Sequence, residues 1–319
     1  MRRSCLVGLI LVAAVLLAAS FWLRRYLTPE TEGAASPTST AIAGASDAAP
    51  PALLPTLPQP TSAPVLAEDR VYEERIQGLY LEAVQPLAEA EMDIRGLAAA
   101  EGKLYVTVYD AAGQTAWLHE LDRSSASTLR SLPLGGQGPG EPCGLQAAGQ
   151  LLWTCVNSQD GALILAVDRA AWAAAAWAPV TDTLRAVAQT ADGSVVGVDR
   201  AGERFYHWGV DGVLQRVAIN ATGVVYADCE LIRGSLVCVG AEQTGGVMDV
   251  LDPESLSLLA RRQASTRTAW GALVAGNALA YDGEWFLLAP SGGQLPLVWS
   301  YRLDGGSLAD YVPSVRPPQ

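Results

Sequence analysis

The sequence has almost no lysine and very little histidine, and both shortages limit what it can do. Lys103 is the only lysine, so arginine carries nearly all of the positive charge, which we read as a compositional habit rather than as chemistry. Two histidines, His119 and His207, are too few for a histidine-rich metal site, and we expect both on the surface of third strands. The formal net charge is −12 at pH 7, so the chain lacks the basic surface that nucleic-acid phosphates require.

Catalytic signatures are missing as well. The chain contains no G-x-S-x-G nucleophile elbow, no phosphate-binding P-loop and no dinucleotide-binding glycine fingerprint. We therefore predict no cofactor, no metal and no defined catalytic residue, and we expect a binding protein more readily than an enzyme.

An uncharged apolar stretch fills residues 4–23, SCLVGLILVAAVLLAASFWL, with two arginines on each side. About 20 apolar residues are enough to span a bilayer core. We therefore predict that residues 1–26 form an N-terminal membrane anchor. The alternative is a signal peptide that is cleaved near the small residues Ala18, Ala19 and Ser20. A twin-arginine signal is a third, weaker reading.

The next segment, residues 27–66, is rich in Pro, Ser, Thr and Ala and has no Lys or Arg. Such a composition cannot bury a core and predicts a disordered linker. Because it lacks basic residues, it suits the translocated side of a membrane. The expected location is the cell membrane, with one span and a domain of residues 67–319 on the extracytoplasmic side.

A repeated pattern begins near residue 93 and continues to the end of the sequence. Short β-rich runs such as LYVTV, LLWTC, SVVGV and SLVCV each follow a glycine turn, and each unit then reaches an aspartate after an apolar strand. The glycines recur every ~40–50 residues, a spacing typical of repeat folds. The turn glycines are Gly102, Gly149, Gly193, Gly234 and Gly283, and the aspartates are Asp122, Asp168, Asp211, Asp252 and Asp304.

We predict the same order of elements in each repeat: a strand, a glycine turn, a second strand, a loop, a third strand, an aspartate turn and a fourth strand. Four strands in ~40–50 residues form the blade of a β-propeller, so we predict an all-β propeller of five countable blades. A β-sandwich is the rival fold, but its turns recur without this longer period. Residues 68–92 either add one or two strands that close the ring, which leaves six blades open, or form a short helix.

Two stretches carry a resemblance to a known family. GGQGPGEPCGLQAAGQLLWTC (135–155) resembles a blade junction of NHL-type propellers, and residues 184–219 look like a whole repeat of that kind. VLDPESLSLLA (250–260) is also similar to repeats of quinoprotein-like and YVTN-type propellers, but it lacks their tryptophan and cofactor residues. The resemblance implies an extracytoplasmic propeller that serves as a binding platform, a sensor or, less often, a hydrolase or lyase.

Four of the five cysteines form two close pairs. If Arg233-Gly234 is a two-residue hairpin loop, the register places Cys229 opposite Cys238 in a non-hydrogen-bonded pair. Cα atoms in such a pair lie ~4.5 Å apart, which is within disulfide range.

The second pair, Cys143 and Cys155, flanks Gly149 symmetrically and occupies the same place in an earlier blade. We therefore predict disulfides Cys143–Cys155 and Cys229–Cys238, each contributing on the order of 2–3 kcal/mol. Reduced buried thiols remain an alternative. Metal or redox chemistry is a weaker one, because neither pair has the C-x-x-C spacing.

Propellers usually bind ligands at one mouth of the central channel, at the loops that lead into the innermost strands. Four of the five repeats place a carboxylate in such a loop, with arginines nearby, and this ring could hold a cation, a sugar or a basic peptide. Acidic residues are also common in turns before strands, which is the plainer explanation. The candidate ring consists of Asp93, Arg95, Glu141, Asp182, Arg185 and Asp228.

Together these features predict a membrane-tethered extracytoplasmic β-propeller that acts as a binding or scaffold module for a protein, peptide or glycan. The alternative is a carbohydrate-active hydrolase or lyase that uses carboxylates at the channel mouth. We expect the membrane as a partner through the N-terminal segment, and no nucleic acid.

Overall fold

The computed structural model describes residues 74–87, 93–111, 113–135, 140–242, 245–266, 276–290 and 297–314. The predicted anchor and linker lie outside these residues. Within the described ranges, no helix combines the length and apolar character needed to cross a membrane.

The described chain forms 22 strands and one short helix. In chain order they are β1 (Glu74–Ile76), β2 (Leu79–Pro86), β3 (Asp93–Ala100), β4 (Lys103–Asp110), β5 (Thr115–Asp122), β6 (Thr128–Pro133), β7 (Glu141–Pro142), β8 (Gln146–Ala148), β9 (Leu151–Ser158), β10 (Gly161–Asp168), β11 (Ala173–Val180), β12 (Leu184–Gln189), β13 (Val195–Asp199), β14 (Arg204–Trp208), β15 (Leu214–Ile219), β16 (Val225–Ile232), β17 (Ser235–Glu242), β18 (Gly245–Leu251), β19 (Leu258–Thr266), β20 (Gly276–Tyr281), β21 (Phe286–Pro290), β22 (Leu297–Leu303) and α1 (Leu308–Tyr311).

These strands form five antiparallel sheets, which are the blades of a propeller. Blade 1 is β3 to β6, blade 2 is β7 to β11, blade 3 is β12 to β15, and blade 4 is β16 to β19. Blade 5 contains β20 to β22. The predicted order of strand, glycine turn, strand, loop, strand, aspartate turn and strand is confirmed in blades 1 to 4. The first strands of neighbouring blades meet around the centre.

The N-terminal strands close the ring, and this fixes the blade number at five. After Asp304 the described chain turns into α1 and does not add a fourth strand of its own to blade 5. Strand β2 fills that place by pairing with β22, from Leu79 opposite Leu303 to Pro86 opposite Leu297. Strand β1 adds a fifth strand to blade 4 beside β19. Within the segment 68–92, the described residues 74–87 thus contribute two strands to existing blades, and the described chain has five blades.

The aspartate markers hold the turns that join third and fourth strands. A side-chain oxygen accepts hydrogen bonds from backbone N–H groups two or three residues further on, as at Asp168 and Asp252. The glycine turns use left-handed backbone: Arg233 and Gly234 have φ values of 53° and 78°. Such positive angles at both positions suit the tight turn that matches the twist of a hairpin.

The apolar core consists of five clusters, one in each cleft between neighbouring blades. The cluster between blades 1 and 2, for example, contains the buried residues Leu118, Leu145 and Leu165. Each large apolar side chain that is fully buried contributes roughly 1.5–3 kcal/mol. Stability is therefore spread around the ring and depends on every blade having a neighbour on both sides.

Both predicted disulfides are present. Cys229 lies opposite Cys238 in the register that was counted out from the Arg233-Gly234 loop, with Cα atoms 4.1 Å apart. Cys143 bonds Cys155 with Cα atoms 5.2 Å apart. Each disulfide joins the first two strands of its blade, and both face clefts that border blade 3.

Candidate functional site

A β-bulge near the start of an inner strand directs arginines toward the channel mouth. In blade 1, Ile94 pairs with Val108 and Gly96 with Thr107, so Arg95 between them has no partner in the ladder. Blade 3 has the same irregularity at Arg185. A bulge re-aims the side chain of its extra residue. The sequence therefore places two guanidinium groups at equivalent positions of two blades.

Two guanidinium groups flank Glu141, which begins the short strand β7 of blade 2. One Glu141 oxygen lies 3.0 Å from Arg95 Nη1, and the other lies 2.6 Å from Arg200 Nη1. Arg200 sits just after β13 of blade 3, so a single carboxylate joins three blades. Arg95 also contacts Asp93, with 2.5 Å between Nη2 and a carboxylate oxygen.

Arg185 completes the group, which we call the mouth pocket: Arg95, Glu141, Arg185 and Arg200. Its Nε donates to the carbonyl oxygen of Arg200 at 2.9 Å. Burial lowers the pKa of Arg185, and the neighbouring charges of Arg200 and Arg95 lower it further. The four side chains line a cavity of about 60 Å³. Positive charge is thus concentrated in one concave spot of an acidic protein.

Asp182 is near the mouth but does not line this cavity. Its carboxylate accepts a short hydrogen bond from the Tyr206 hydroxyl and lies 4.0 Å from Arg204 Nη1. Of the predicted ring, the structure therefore brings Arg95, Glu141 and Arg185 together, with Asp93 attached through Arg95, and places Asp182 apart.

Asp228 differs from the expected placement, because it is completely buried at the centre of the ring instead of lining the mouth. Its carboxylate accepts four backbone N–H groups from four blades. They belong to Leu97 at 3.4 Å, Leu145 at 3.2 Å, Leu279 at 3.0 Å and Cys229 at 3.0 Å. Burial raises the pKa of Asp228, and these four donors oppose that rise. Each carboxylate oxygen thus accepts two hydrogen bonds, which leaves no acceptor position for an outside ligand. The role of Asp228 is therefore to join blades together.

Small residues around the centre make room for this carboxylate. A Cβ atom on Gly144 would lie 2.1 Å from Asp228 Oδ1, and one on Gly96 would lie 2.4 Å from the Leu145 nitrogen. Ala186 and Ala278 stand at the matching positions of blades 3 and 5. Only blade 4 presents a long polar side chain at this level, and it reaches the backbones of three other blades.

Glu230 is a second buried acid, on the same face of β16 as Asp228. Its Oε2 atom is buried and has no hydrogen-bond partner among the described residues. Burial raises its pKa well above the ordinary value, and the charge of Asp228 raises it further. A neutral carboxyl group is the form that suits these surroundings.

Sequence reasoning missed Arg200 and Glu230. Arg200 lies in the loop between second and third strands, which is on the same rim as the start of the first strand in an antiparallel blade. Considering both loops of that rim would have found it. Glu230 has no turn or motif beside it, and its burial follows only from the inward face of β16.

The two histidines take part in local packing rather than in the site. His119 on β5 is buried, so the expectation of a surface position is wrong for it, and its Nδ1 lies 2.8 Å from Ser131 Oγ. His207 on β14 is half-buried and lies 3.2 Å from Ser194 Oγ. In the described part of the chain, no three His, Cys, Asp or Glu side chains gather to hold a metal ion.

The mouth pocket is suited to recognition by charged hydrogen bonds. Guanidinium groups present planar sets of N–H donors, and they bind anionic oxygens strongly when partly shielded from water. Among the described residues, the three carboxylates at or near the mouth, Asp93, Glu141 and Asp182, already have a basic or hydroxyl partner.

No protein-family model matches the chain, and no curated protein matches it either. Among solved structures, glutaminyl cyclase from Myxococcus xanthus superposes with a TM-score of 0.54 at 14% identity, over 72% of this chain and 97% of that one. A streptogramin B lyase gives a TM-score of 0.46 at 12% identity, covering 72% of this chain and 99% of its own. At such low identity the first likeness shows the fold alone, and this fold is the β-propeller.

Proposed function

We propose that the chain is a membrane-tethered extracytoplasmic binding module that holds a protein or peptide at the mouth pocket. The observation that carries the proposal is the pairing of Glu141 with Arg95 and Arg200, which fixes charged donors from two blades around one cavity. Donors that are already held in place lose little conformational entropy when a ligand binds, which favours a binding site.

Two further features support the place of action. The two disulfides fit an oxidising compartment outside the cytoplasm. The uncharged stretch at residues 4–23 has the length of a membrane anchor, and the linker at 27–66 would hold the propeller away from the bilayer. The NHL-type resemblance of residues 135–155 supports the binding role instead, because such propellers often serve as binding platforms.

A carbohydrate-active hydrolase or lyase is the less favoured function. Acid–base catalysis at the mouth needs a carboxylate that is able to exchange a proton with a substrate. Glu141 lies between two guanidinium groups and Asp93 contacts Arg95, so both of these described acids already have ion-pair partners that a substrate would have to displace.

Affinity capture tests the proposal. The full chain, purified in detergent and immobilised, is exposed to envelope extracts of the source cells, and retained proteins, peptides and glycans are identified by mass spectrometry. We expect a protein or peptide that the wild type retains and an Arg95→Gln/Arg200→Gln double variant loses. Arg302→Gln is the control, since Arg302 pairs with Glu82 and Glu284 on blade 5, away from the pocket.

Two results would contradict the proposal. The double variant and the wild type could retain the same molecules, which would show that the mouth pocket is not the binding site. Alternatively, incubation could release new reducing ends from envelope glycans, and this would favour the hydrolase.

A further inference from the structure

The mouth pocket has more positive than negative charge. Arg95, Arg185 and Arg200 contribute three positive charges, and Asp93 and Glu141 contribute two negative ones, so one positive charge is left over. Arg185 is the member without a counter-ion, because no described carboxylate lies within ion-pairing distance of it. Burial is the main reason that the pKa of Arg185 is lowered; the charges of Arg200 and Arg95 lower it further, and that of Glu141 acts in the opposite direction.

From this excess we infer that the mouth pocket recognises a single carboxylate group of a protein or peptide ligand, with Arg185 as its main partner. The inference rests on the proposed binding function and specifies the chemistry of the ligand. It replaces the expectation of a site for cations or basic peptides, because the arginines outnumber the acids that line the cavity.

The geometry shows that these arginines suit a carboxylate. The Glu141 carboxylate already bridges Arg95 and Arg200 through separate oxygens, at 3.0 and 2.6 Å. Arg185 lies beside that pair, and of its nitrogens only Nε has a described hydrogen-bond acceptor, at 2.9 Å. Its two terminal nitrogens are therefore left to donate to a second carboxylate in parallel, which is the strongest arrangement for this pair of groups.

The remaining features narrow the ligand class. One surplus positive charge matches a monoanion better than a phosphate with two negative charges, which would also lie against Glu141. The described residues that line the cavity include no aromatic ring, and protein sites for sugars commonly offer one as a stacking surface. A cavity of about 60 Å³ admits one small group and leaves the rest of the ligand outside. A peptide side chain or terminus meets these conditions.

Direct titration tests the inference with defined probes. The full chain in detergent is titrated with N-acetylalanine, with its uncharged amide, and with inorganic phosphate, while heat of binding is recorded. We expect N-acetylalanine to bind the wild type and Arg302→Gln alike, and Arg185→Gln to weaken it by about tenfold or more, because a charge-assisted hydrogen-bond pair is lost. The amide should not bind, and phosphate should bind more weakly than N-acetylalanine.

Arg200→Gln provides a second variant if Arg185→Gln lowers the melting temperature strongly, because Arg200 is half exposed. Arg200→Gln should weaken the binding of N-acetylalanine as well. Equal affinity in the arginine variants and the wild type overturns the inference. So does equal binding of the amide, and so does tighter binding of phosphate than of the carboxylate.

The two proposals fail in different ways. If a captured ligand depends on Arg95 and Arg200 but still binds after its carboxylates are converted to amides, the carboxylate inference is wrong and the binding function stands. If N-acetylalanine binds in an Arg185-dependent manner but capture yields no pocket-dependent ligand, the pocket chemistry is right and the binding function is wrong.

Discussion

The axis and the mouth of this propeller handle charge in opposite ways, although both are built mainly from the first strands of the blades. At the axis, one carboxylate of Asp228 is buried and meets four backbone donors from four blades. At the mouth, three arginines gather around Glu141 and keep a positive surplus close to solvent. The axis uses its hydrogen bonds to hold blades together. The mouth has bonding capacity left for another molecule.

The largest expected effect comes from Asp228→Asn. The amide keeps one acceptor oxygen but turns an N–H group toward two donors that had an oxygen before. Each buried donor without an acceptor costs about 1–3 kcal/mol. We expect the free energy of unfolding to fall by about 3 kcal/mol or more in urea denaturation. Stability equal to the wild type would show that the central carboxylate does not join the blades.

Gly144→Ala should come next. The added methyl group would clash with Asp228 Oδ1, and overpacking of this kind costs roughly 1–3 kcal/mol. Gly149→Ala is the comparison variant: its φ of 58° imposes backbone strain on alanine that Gly144 does not have, roughly 1–2 kcal/mol, but the new Cβ meets open space. A loss of stability no larger at Gly144 than at Gly149 would mean that space around Asp228 is not limiting.

Glu230→Gln should have a smaller effect of the opposite sign. Burial raises the pKa of Glu230, so the folded chain keeps this proton at pH values where the unfolded chain releases it. The stability associated with the proton is therefore present below the unfolded pKa of about 4 and is lost as pH rises toward the folded pKa.

The measurement is the free energy of unfolding between pH 4 and 8 for both proteins. We expect the variant to match or exceed the wild type at pH 7, by about 1 kcal/mol, and to show a flatter pH dependence. A destabilised variant would show that the buried acid has a favourable role as an anion.

The smallest effect is expected at the mouth, from Glu141→Gln. This is the same chemical change as at Asp228, but Arg95 and Arg200 stay partly exposed and can be solvated. Ion pairs in such positions are worth about 1 kcal/mol or less. Stability measured at low and high salt should differ little from the wild type. A loss as large as that of Asp228→Asn would erase the distinction between the two regions.

The sequence was sufficient to predict the parts of the fold that depend on neighbouring residues. The glycine and aspartate turns recur because each blade needs the same two corners, and the Arg233-Gly234 loop fixed the register that joins Cys229 to Cys238. The number of blades needed more, because β2 pairs with β22 at the far end of the chain.

The candidate site was predicted only in part. Arg95, Glu141 and Arg185 were found because they lie where inner strands begin, whereas Arg200 lies in the other loop of that rim. The role of Asp228 could not be foreseen, because its partners in the other blades are backbone N–H groups. Any residue can supply such a group, so it leaves no trace in the sequence.

Ring closure by β2 also sets an order of events during synthesis. This strand leaves the ribosome before any complete blade, yet its partner β22 appears only after all the others. The carboxylate of Asp228 likewise gains its last hydrogen-bond donor late, because Leu279 follows Asp228 by a whole blade. Until then an unpaired strand and an unfinished cleft remain open to other chains, as is typical of folds with distant pairings. A nascent propeller of this kind therefore depends on completion of the last blade before it is protected from misassembly.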